Sequence, residues 1–292
     1  QVSQAAGDNY FTGFITESVE PIVWFAVFLL LTAAVVFIGV QKGIEKASTI
    51  LMPILIILIV CISIFCATRP GALAGVKYYL LPDIKHFSAT TVLAAMGQLF
   101  YSMSLAMGIM ITYGSYMKKE DDLRDSVRKI EIFDTVVALL AGLMIVPSVF
   151  AFSGGSKEAL SKGPSLMFVT MPKVFNSMKI GSLIGAGFFI LVLFAALTSA
   201  ISLLETNVSI ICDKLHWSRK KSTVVATLYC LIVGGLISLG YGPLSFIKII
   251  GMNLLDFFDF ISNSVLMPIV AMLTCIFIGY IVKPKTIIDE VE

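Results

Sequence analysis

Seven long apolar stretches dominate this sequence and limit the folds that are open to it. They lie at about residues 21–40, 48–67, 87–117, 129–151, 181–212, 222–240 and 257–282. About 20 apolar residues are enough for a helix to cross a lipid bilayer. The chain is 58% hydrophobic and 14% charged, with a mean hydropathy of +0.94, which excludes an ordinary soluble domain. We therefore predict an all-α, polytopic membrane protein with about seven transmembrane helices.

The third stretch, residues 87–117, is longer than a straight crossing requires. Its middle carries Gln98, Ser102 and Ser104 between Gly97 and Gly108. Polar side chains and open backbone are tolerated at membrane depth where they line a cavity rather than lipid. We therefore expect the helix to be interrupted here, in the way that a membrane protein builds a site for a small molecule or an ion.

The distribution of basic residues predicts the orientation. An odd number of crossings places the two chain ends on opposite sides of the membrane. Of the 21 Lys and Arg residues, 13 fall in one set of connections and eight in the other. Because basic residues concentrate on the cytoplasmic side, we predict a cytoplasmic C-terminus and an external Gln1 in the plasma or inner membrane. The first residue is not Met, and residues 1–20 lack a signal peptide, so we expect a fragment of a longer protein.

Oxygen-bearing side chains lie near the centre of the 181–212 stretch. Thr198 and Ser199 are adjacent there, and Ala195 lies one helical turn earlier on the same side. Hydroxyl oxygens and a carbonyl beside a small residue are ligands that suit a hard monovalent cation. The alternative is that the hydroxyls bond back to the preceding turn or join two helices.

Asp134 and Glu205 are acidic residues that fall within apolar stretches. Asp134 either faces a cavity or a partner, or is hydrated at the cytoplasmic surface beside Arg128 and Lys129. Glu205 follows Thr198 by two turns on the same face, and we expect it to form an ion pair or hydrogen bond inside the helix bundle.

Three further polar residues have two interpretations each. Asp256 and Asp259 are either acids at a helix N-terminus, favoured by the helix dipole, or part of an external vestibule. Gln98 is either a hydrogen-bonding residue between helices or part of the same gate.

Several other classes of protein are disfavoured by the residues present. The five cysteines form no CxxC pair, so we expect neither a disulfide framework nor a metal site of that kind. A net charge of +2 gives no reason to expect nucleic acid. An intramembrane enzyme would need a nucleophile and a base at one depth, but His86 and His216 lie at loop edges on opposite sides.

Four strings of residues resemble one known family. They are Gly43-Ile44-Glu45-Lys46-Ala47-Ser48 leading to Leu51-Met52-Pro53, Gly97-Gln98-x-Phe100-x-Ser102-x-Ser104-Leu105, Ile111-Thr112-Tyr113-Gly114-Ser115-Tyr116, and Ala195-Ala196-Leu197-Thr198-Ser199. With them the chain resembles the neurotransmitter:sodium symporter family, particularly its bacterial amino-acid transporters, over essentially all 292 residues. The resemblance implies a LeuT-like inverted-repeat fold with a broken sixth family helix, and sodium-coupled symport of an amino acid.

The resemblance also implies how the chain is divided. The seven stretches look like the family's fourth to tenth helices, within a single transmembrane domain fragment, 1–292. Residues 1–86 would hold an external segment and the last two helices of the first repeat, 87–282 the second repeat, and 283–292 a cytoplasmic tail. The expected partners are an amino acid, membrane lipid and the missing N-terminal helices of the same transporter. The alternative is a truncated, non-transporting membrane subunit or an inert fragment.

The family's functional residues carry over to twelve positions. The resemblance implies that substrate is bound by Tyr101, Ser102, Ser104, Met107, Ala200 and Leu203; that Na⁺ is bound by Ser102 and Asp134 at one site and by the Ala195 carbonyl, Thr198 and Ser199 at another; and that Gln98 and Asp259 form the external gate. No catalytic residue is implied.

Two positions depart from the family pattern. Ala106 replaces the usual glycine at the break, which makes the unwound backbone less permissive. Ala138 replaces the serine of chloride-dependent members, and the carboxylate of Asp134 is close by in sequence. We expect that this carboxylate supplies the negative charge that balances two sodium ions, so that chloride is not required.

Overall fold

A computed structural model of the chain describes residues 2–7, 9–81, 87–154 and 164–283, together with residues 285 and 288. Apart from one isolated β-bridge between Ile249 and Met252, the regular structure of these residues is helical. The α-helices are α1 (Val2–Ala5), α2 (Tyr10–Thr16), α3 (Glu20–Ile38), α4 (Lys46–Ala67), α5 (Ala72–Leu80), α6 (Ala89–Ser102), α7 (Ile109–Gly114), α8 (Leu123–Ser153), α9 (Met171–Asn176), α10 (Gly181–Leu215), α11 (Arg219–Leu239), α12 (Leu254–Asp259) and α13 (Met267–Ile276). π-Helical segments lie at Val40–Glu45, Leu166–Thr170, Phe260–Leu266 and Phe277–Val282.

Six helical segments of the described chain are long and apolar enough to cross a membrane. They are Glu20–Ile38, Val40–Ala67, Leu123–Ser153, Gly181–Leu215, Arg219–Leu239 and Leu254–Val282. Each coincides with one of the apolar stretches in the sequence, and the protein is a multi-pass, all-α membrane protein. Some helices extend beyond the apolar stretch. For example, α8 begins six residues before residue 129, because hydropathy marks the lipid-facing part of a helix and not its end.

The remaining apolar stretch, 87–117, is the broken helix that the sequence predicts. Its first half, α6, begins after Ser88, whose hydroxyl accepts a hydrogen bond from the Thr91 N–H at 3.3 Å. This half ends at Ser102, and α7 begins only at Ile109. Between them the backbone has positive φ angles at Ser104 (55°), Ala106 (61°) and Gly108 (79°). No α-helix can continue through such residues.

The described residues separate into two compact units, and the boundaries between them fall inside α8 and α10. The first unit takes the described residues of Gln1–His86 and Val136–Ala200. Its core is a cluster of buried side chains: Ile59, Ile62, Cys66, Met144, Val149, Met171, Phe175, Phe188 and Leu191.

Within this first unit, α5 packs against α8 through small residues. A Cβ atom added at Gly75 would lie 2.7 Å from the Cα of Pro147, and one added at Gly142 would lie 2.0 Å from the ring of Tyr79. Gly71, one turn before Gly75, lies against Ala151. The contacts move forward along α5 and backward along α8, so the two helices are antiparallel.

The second unit takes the described residues of Phe87–Thr135 and Ile201–Glu292. In it the start of α7 packs on α10, since a Cβ added at Gly108 would lie 3.0 Å from the Thr206 methyl group. The Tyr113 and Ser202 hydroxyls are hydrogen-bonded at 2.9 Å. The end of α11 contacts the start of α12, where a Cβ added at Gly240 would meet Leu254 at 3.0 Å.

Parts of the sequence predictions lie outside the described residues. His86 is one of them, and so is most of the predicted cytoplasmic tail, 283–292, of which only residues 283, 285 and 288 are described.

Candidate functional site

The break between α6 and α7 exposes backbone where the sequence places its polar residues. The last turn of α6 is closed by hydrogen bonds from the Met103 N–H to the Leu99 carbonyl at 3.0 Å and from the Leu105 N–H to the Phe100 carbonyl at 2.9 Å. Beyond it, Ser104 and Ala106 both have the left-handed conformation. For an L-residue this conformation costs about 1–2 kcal/mol, and such strain is concentrated at functional sites.

Ser102, the last residue of α6, is joined to Asp134 on α8. The Ser102 hydroxyl donates a hydrogen bond to the Asp134 carboxylate with an oxygen–oxygen distance of 2.5 Å, and both side chains are half-buried. Of the two interpretations that the sequence leaves open for Asp134, the structure therefore favours a partner within the protein. Lys129, which the other interpretation invokes, pairs with Asp125 at 2.6 Å.

The Ser102 and Asp134 oxygens form a donor set of a recognisable chemical kind. A hydroxyl and a carboxylate are oxygen ligands, which hard cations prefer. They lie beside unwound backbone, where carbonyl groups are no longer all bound within a helix. These oxygens are therefore ligands of the kind that a small hard cation prefers.

The predicted substrate residues lie along the break and on α10. Ser104 and Met107 are in the unwound segment and are half-buried, whereas the Tyr101 side chain is 53% exposed. Ala200 is half-buried, and Leu203 is 46% exposed one turn further along α10.

The second predicted group of sodium ligands lies on one turn of α10. The Thr198 hydroxyl donates to the Ala195 carbonyl at 3.0 Å and to the Phe194 carbonyl at 3.1 Å. This is the bond to the preceding turn that the sequence offers as an alternative, and it also brings two predicted ligand oxygens together. Ser199 is exposed.

The two predicted gate residues are on the surface of the described chain. Gln98 is exposed on α6, and Asp259, the last residue of α12, accepts a hydrogen bond from the Asn263 amide at 2.6 Å. Asp256 lies in the first turn of α12, whose N-cap is Asn253: the Asp256 N–H donates to the Asn253 side-chain oxygen, and the Asn253 side-chain amide donates to the Asp256 carboxylate, both at 2.8 Å. This confirms the helix N-terminal interpretation for Asp256.

Glu205 on α10 is fully buried, with 0% of its surface exposed. Arg219, at the start of α11, donates hydrogen bonds to both of its carboxylate oxygens, and the Tyr116 hydroxyl donates to one of them at 2.6 Å. The predicted ion pair is confirmed. The sequence did not identify Arg219 as the partner, because the 13 intervening residues include a helix end and a turn whose geometry hydropathy does not give.

The chain is similar to several curated transporters. Its sequence is 37% identical over 291 residues to the uncharacterized sodium-dependent transporter YhdH of Bacillus subtilis, covering 100% of this chain and 64% of that protein. It is 31% identical over 286 residues to an uncharacterized sodium-dependent transporter of Haemophilus influenzae, covering 97% of this chain and 62% of that protein. The chain therefore spans somewhat less than two thirds of the length of these relatives.

The fold is similar to a solved structure. The crystal structure of MhsT in complex with L-phenylalanine superposes with a TM-score of 0.87 at 38% sequence identity, covering 98% of this chain and 65% of that one. A family model for the sodium:neurotransmitter symporter family matches residues 15–292. With nearly the whole chain matched by that model, and with the broken helix of the LeuT-like fold in place, this chain belongs to the sodium:neurotransmitter symporter family.

Proposed function

We propose that the complete protein is a sodium-coupled symporter that carries an amino acid across the membrane. The observation that carries this proposal is the interrupted helix between Ser102 and Ile109, with the Ser102 hydroxyl held on the Asp134 carboxylate. Binding at mid-membrane on a discontinuous helix is the general design of such transporters. The family is one of symporters and not of enzymes, and the sodium-dependent relatives support sodium as the coupling ion.

One sodium ion binds, in this proposal, to the Ser102 hydroxyl and the Asp134 carboxylate. Their hydrogen bond supports this assignment, because it already holds two oxygen ligands within 2.5 Å of each other. A second sodium ion binds to the Ala195 carbonyl and the Thr198 and Ser199 hydroxyls. The support for this site is that the three residues lie on one turn of α10 and offer the oxygen ligands that hard cations prefer.

The substrate is an amino acid held along the unwound segment by Tyr101, Ser102, Ser104 and Met107, and on α10 by Ala200 and Leu203. The MhsT complex with L-phenylalanine supports an amino-acid substrate. The exposed Tyr101 and Leu203 side chains would contact apolar parts of the ligand. Gln98 and Asp259 contribute to an external gate. Sodium and substrate together stabilise the outward-facing state in which the binding pocket is closed.

We further propose that chloride is not required. Two monovalent cations bound in a low-dielectric region need a nearby negative charge. Asp134 supplies one, while Ala138, four residues later on the same helix, offers no hydroxyl to a halide. The count of basic residues supports a cytoplasmic C-terminus.

Uptake of radiolabelled amino acids into proteoliposomes tests the proposal. The complete protein, as its source gene encodes it, is reconstituted and offered a panel that begins with phenylalanine, with sodium and chloride varied independently. We expect uptake that needs an inward sodium gradient and persists when gluconate replaces chloride. Uptake that is unchanged when potassium replaces sodium would overturn sodium coupling, and uptake that fails in gluconate would overturn the chloride proposal alone.

A further inference from the structure

The connection between α11 and α12 ends in a tight turn of unusual composition. Ile249 and Met252 exchange both backbone hydrogen bonds, at 2.9 and 3.0 Å. The two residues between them, Ile250 and Gly251, have φ angles of 53° and 78°. Positive φ at both central residues is the signature of a type I′ turn, whose first central position normally holds Asn, Asp or Gly. A β-branched residue is strained in that conformation.

The same turn is also exposed to a degree that is unfavourable in water. Ile250 is 76% exposed at its tip, and Phe246, four residues earlier, is likewise 76% exposed. Lys248, the only charged residue between Leu239 and Leu254, lies between them. In water, exposure of the Ile250 and Phe246 side chains provides nothing that offsets the backbone strain at Ile250. Transfer of these side chains from water to an apolar environment is favourable.

The position of the connection indicates which environment that is. It starts where α11 leaves the membrane and ends where α12 enters it. The helices on both sides expose apolar side chains. Tyr229 and Ile232 on α11 are 67% and 63% exposed, and only 6% of the most apolar 18 residues of Leu254–Val282 is buried. Phe246 and Ile250 are the exposed apolar side chains of the connection that joins these two helices.

We propose that residues 246–250 form a lipid anchor, in which Phe246 and Ile250 insert among the acyl chains of the leaflet where α11 ends and Lys248 lies at the level of the headgroup phosphates. Long basic side chains extend from such a depth to the interface. The two exchanged bonds satisfy the backbone groups of Ile249 and Met252. The backbone of the turn stays at the interface, where water reaches its remaining polar groups, and only the Phe246 and Ile250 side chains pass below the headgroups.

Spin-label accessibility tests this proposal. Phe246→Cys and Ile250→Cys are introduced separately into the complete protein after its native cysteines have been replaced, labelled with a nitroxide and reconstituted into phosphatidylcholine vesicles. Relaxation by oxygen, which concentrates in acyl chains, is compared with relaxation by a water-soluble nickel complex. Ile232→Cys is the lipid control, and Glu120→Cys, on an exposed polar connection, is the aqueous control.

We expect both loop labels to resemble Ile232→Cys, with oxygen more effective than nickel. Labels that resemble Glu120→Cys would place the loop in water and overturn the proposal. Labels that are shielded from both reagents would also overturn it, because they would show that a second copy or another part of the transporter covers the turn.

A substitution gives a second test whose sign depends on the environment. Ile250→Asn introduces a residue that suits the left-handed position better but is polar. If the tip is inserted, the variant in vesicles should unfold at a lower temperature than the wild type, while Ile250→Leu should change little. If the tip is in water, Ile250→Asn should unfold at a higher temperature, which would contradict the anchor.

Discussion

Arg219 donates hydrogen bonds to both carboxylate oxygens of Glu205, a side chain with no exposed surface. The pair joins the start of α11 to α10. A buried carboxylate lowers the stability of the folded protein unless a partner compensates its charge.

Removal of one partner should therefore be more harmful than removal of both. We expect Arg219→Gln to lower the free energy of unfolding in detergent by about 3–5 kcal/mol, because it leaves the Glu205 charge buried and uncompensated. The double variant Glu205→Gln/Arg219→Gln should recover much of this loss. Lys214→Gln, an exposed charge near the end of α10, is the control and should change stability little. Equal losses in the single and double variants would contradict a compensating pair.

Ala106 occupies a left-handed position in the break. Because glycine adopts this conformation without strain, Ala106→Gly should raise the free energy of unfolding slightly, by up to about 1 kcal/mol, whereas Ala106→Val should lower it by more. Ala196→Gly, inside the helix α10, is the control and should lower stability by about 1 kcal/mol. Thermal unfolding in detergent measures all three. A destabilised Ala106→Gly would show that the break is not strained at this residue.

The contact between α5 and α8 predicts a difference between two glycines. At Gly75 an added methyl group meets backbone, with the Pro147 Cα at 2.7 Å and the Val146 carbonyl oxygen at 3.0 Å. At Gly142 it meets the end of the Tyr79 side chain, which can rotate away. We expect Gly75→Ala to cost about 1–3 kcal/mol and Gly142→Ala less.

A second substitution separates the two causes. Tyr79→Leu should rescue Gly142→Ala but not Gly75→Ala. The Tyr79 hydroxyl also donates to the Ala138 carbonyl at 3.3 Å, so Tyr79→Phe shows how much of any loss belongs to this bond. Gly235→Ala, where an added Cβ meets nothing within 4 Å, is the control. A rescue of Gly75→Ala by Tyr79→Leu would mean that the side chain, and not the backbone, limits the helix approach.

The broken helix could be predicted from sequence because its signals are local. A span of excess length with polar residues and glycines at its centre is visible in residues 87–117 alone, and α6 and α7 are separated where those residues lie. The left-handed angle of Ser104 was not predictable, because serine does not prefer it; for Ala106 the only signal was the family resemblance, in which glycine is usual at this position.

Tertiary partners were harder to predict. That Glu205 needs a partner follows from the cost of burying a charge, but the identity of Arg219 depends on how α11 turns back against α10. The packing of α5 on α8 depends on Gly75 and Gly142, which are 67 residues apart and carry no periodic signal. The hydrogen bond between Ser102 and Asp134 likewise depends on tertiary packing, and only the family resemblance pointed to it.

Direct sodium binding tests the central claim, that the oxygens of Ser102 and Asp134 hold the coupling ion. Binding of radioactive ²²Na⁺ to the purified, complete protein is titrated for the wild type, Asp134→Ala and Ser102→Ala. Glu131→Gln, an exposed acid one turn earlier on α8, is the matched control. We predict that Asp134→Ala loses one class of sodium sites or weakens it at least about tenfold, which corresponds to 1.4 kcal/mol, that Ser102→Ala weakens it less, and that Glu131→Gln binds as the wild type does. A sodium titration of Asp134→Ala that overlays the wild-type curve would contradict the account.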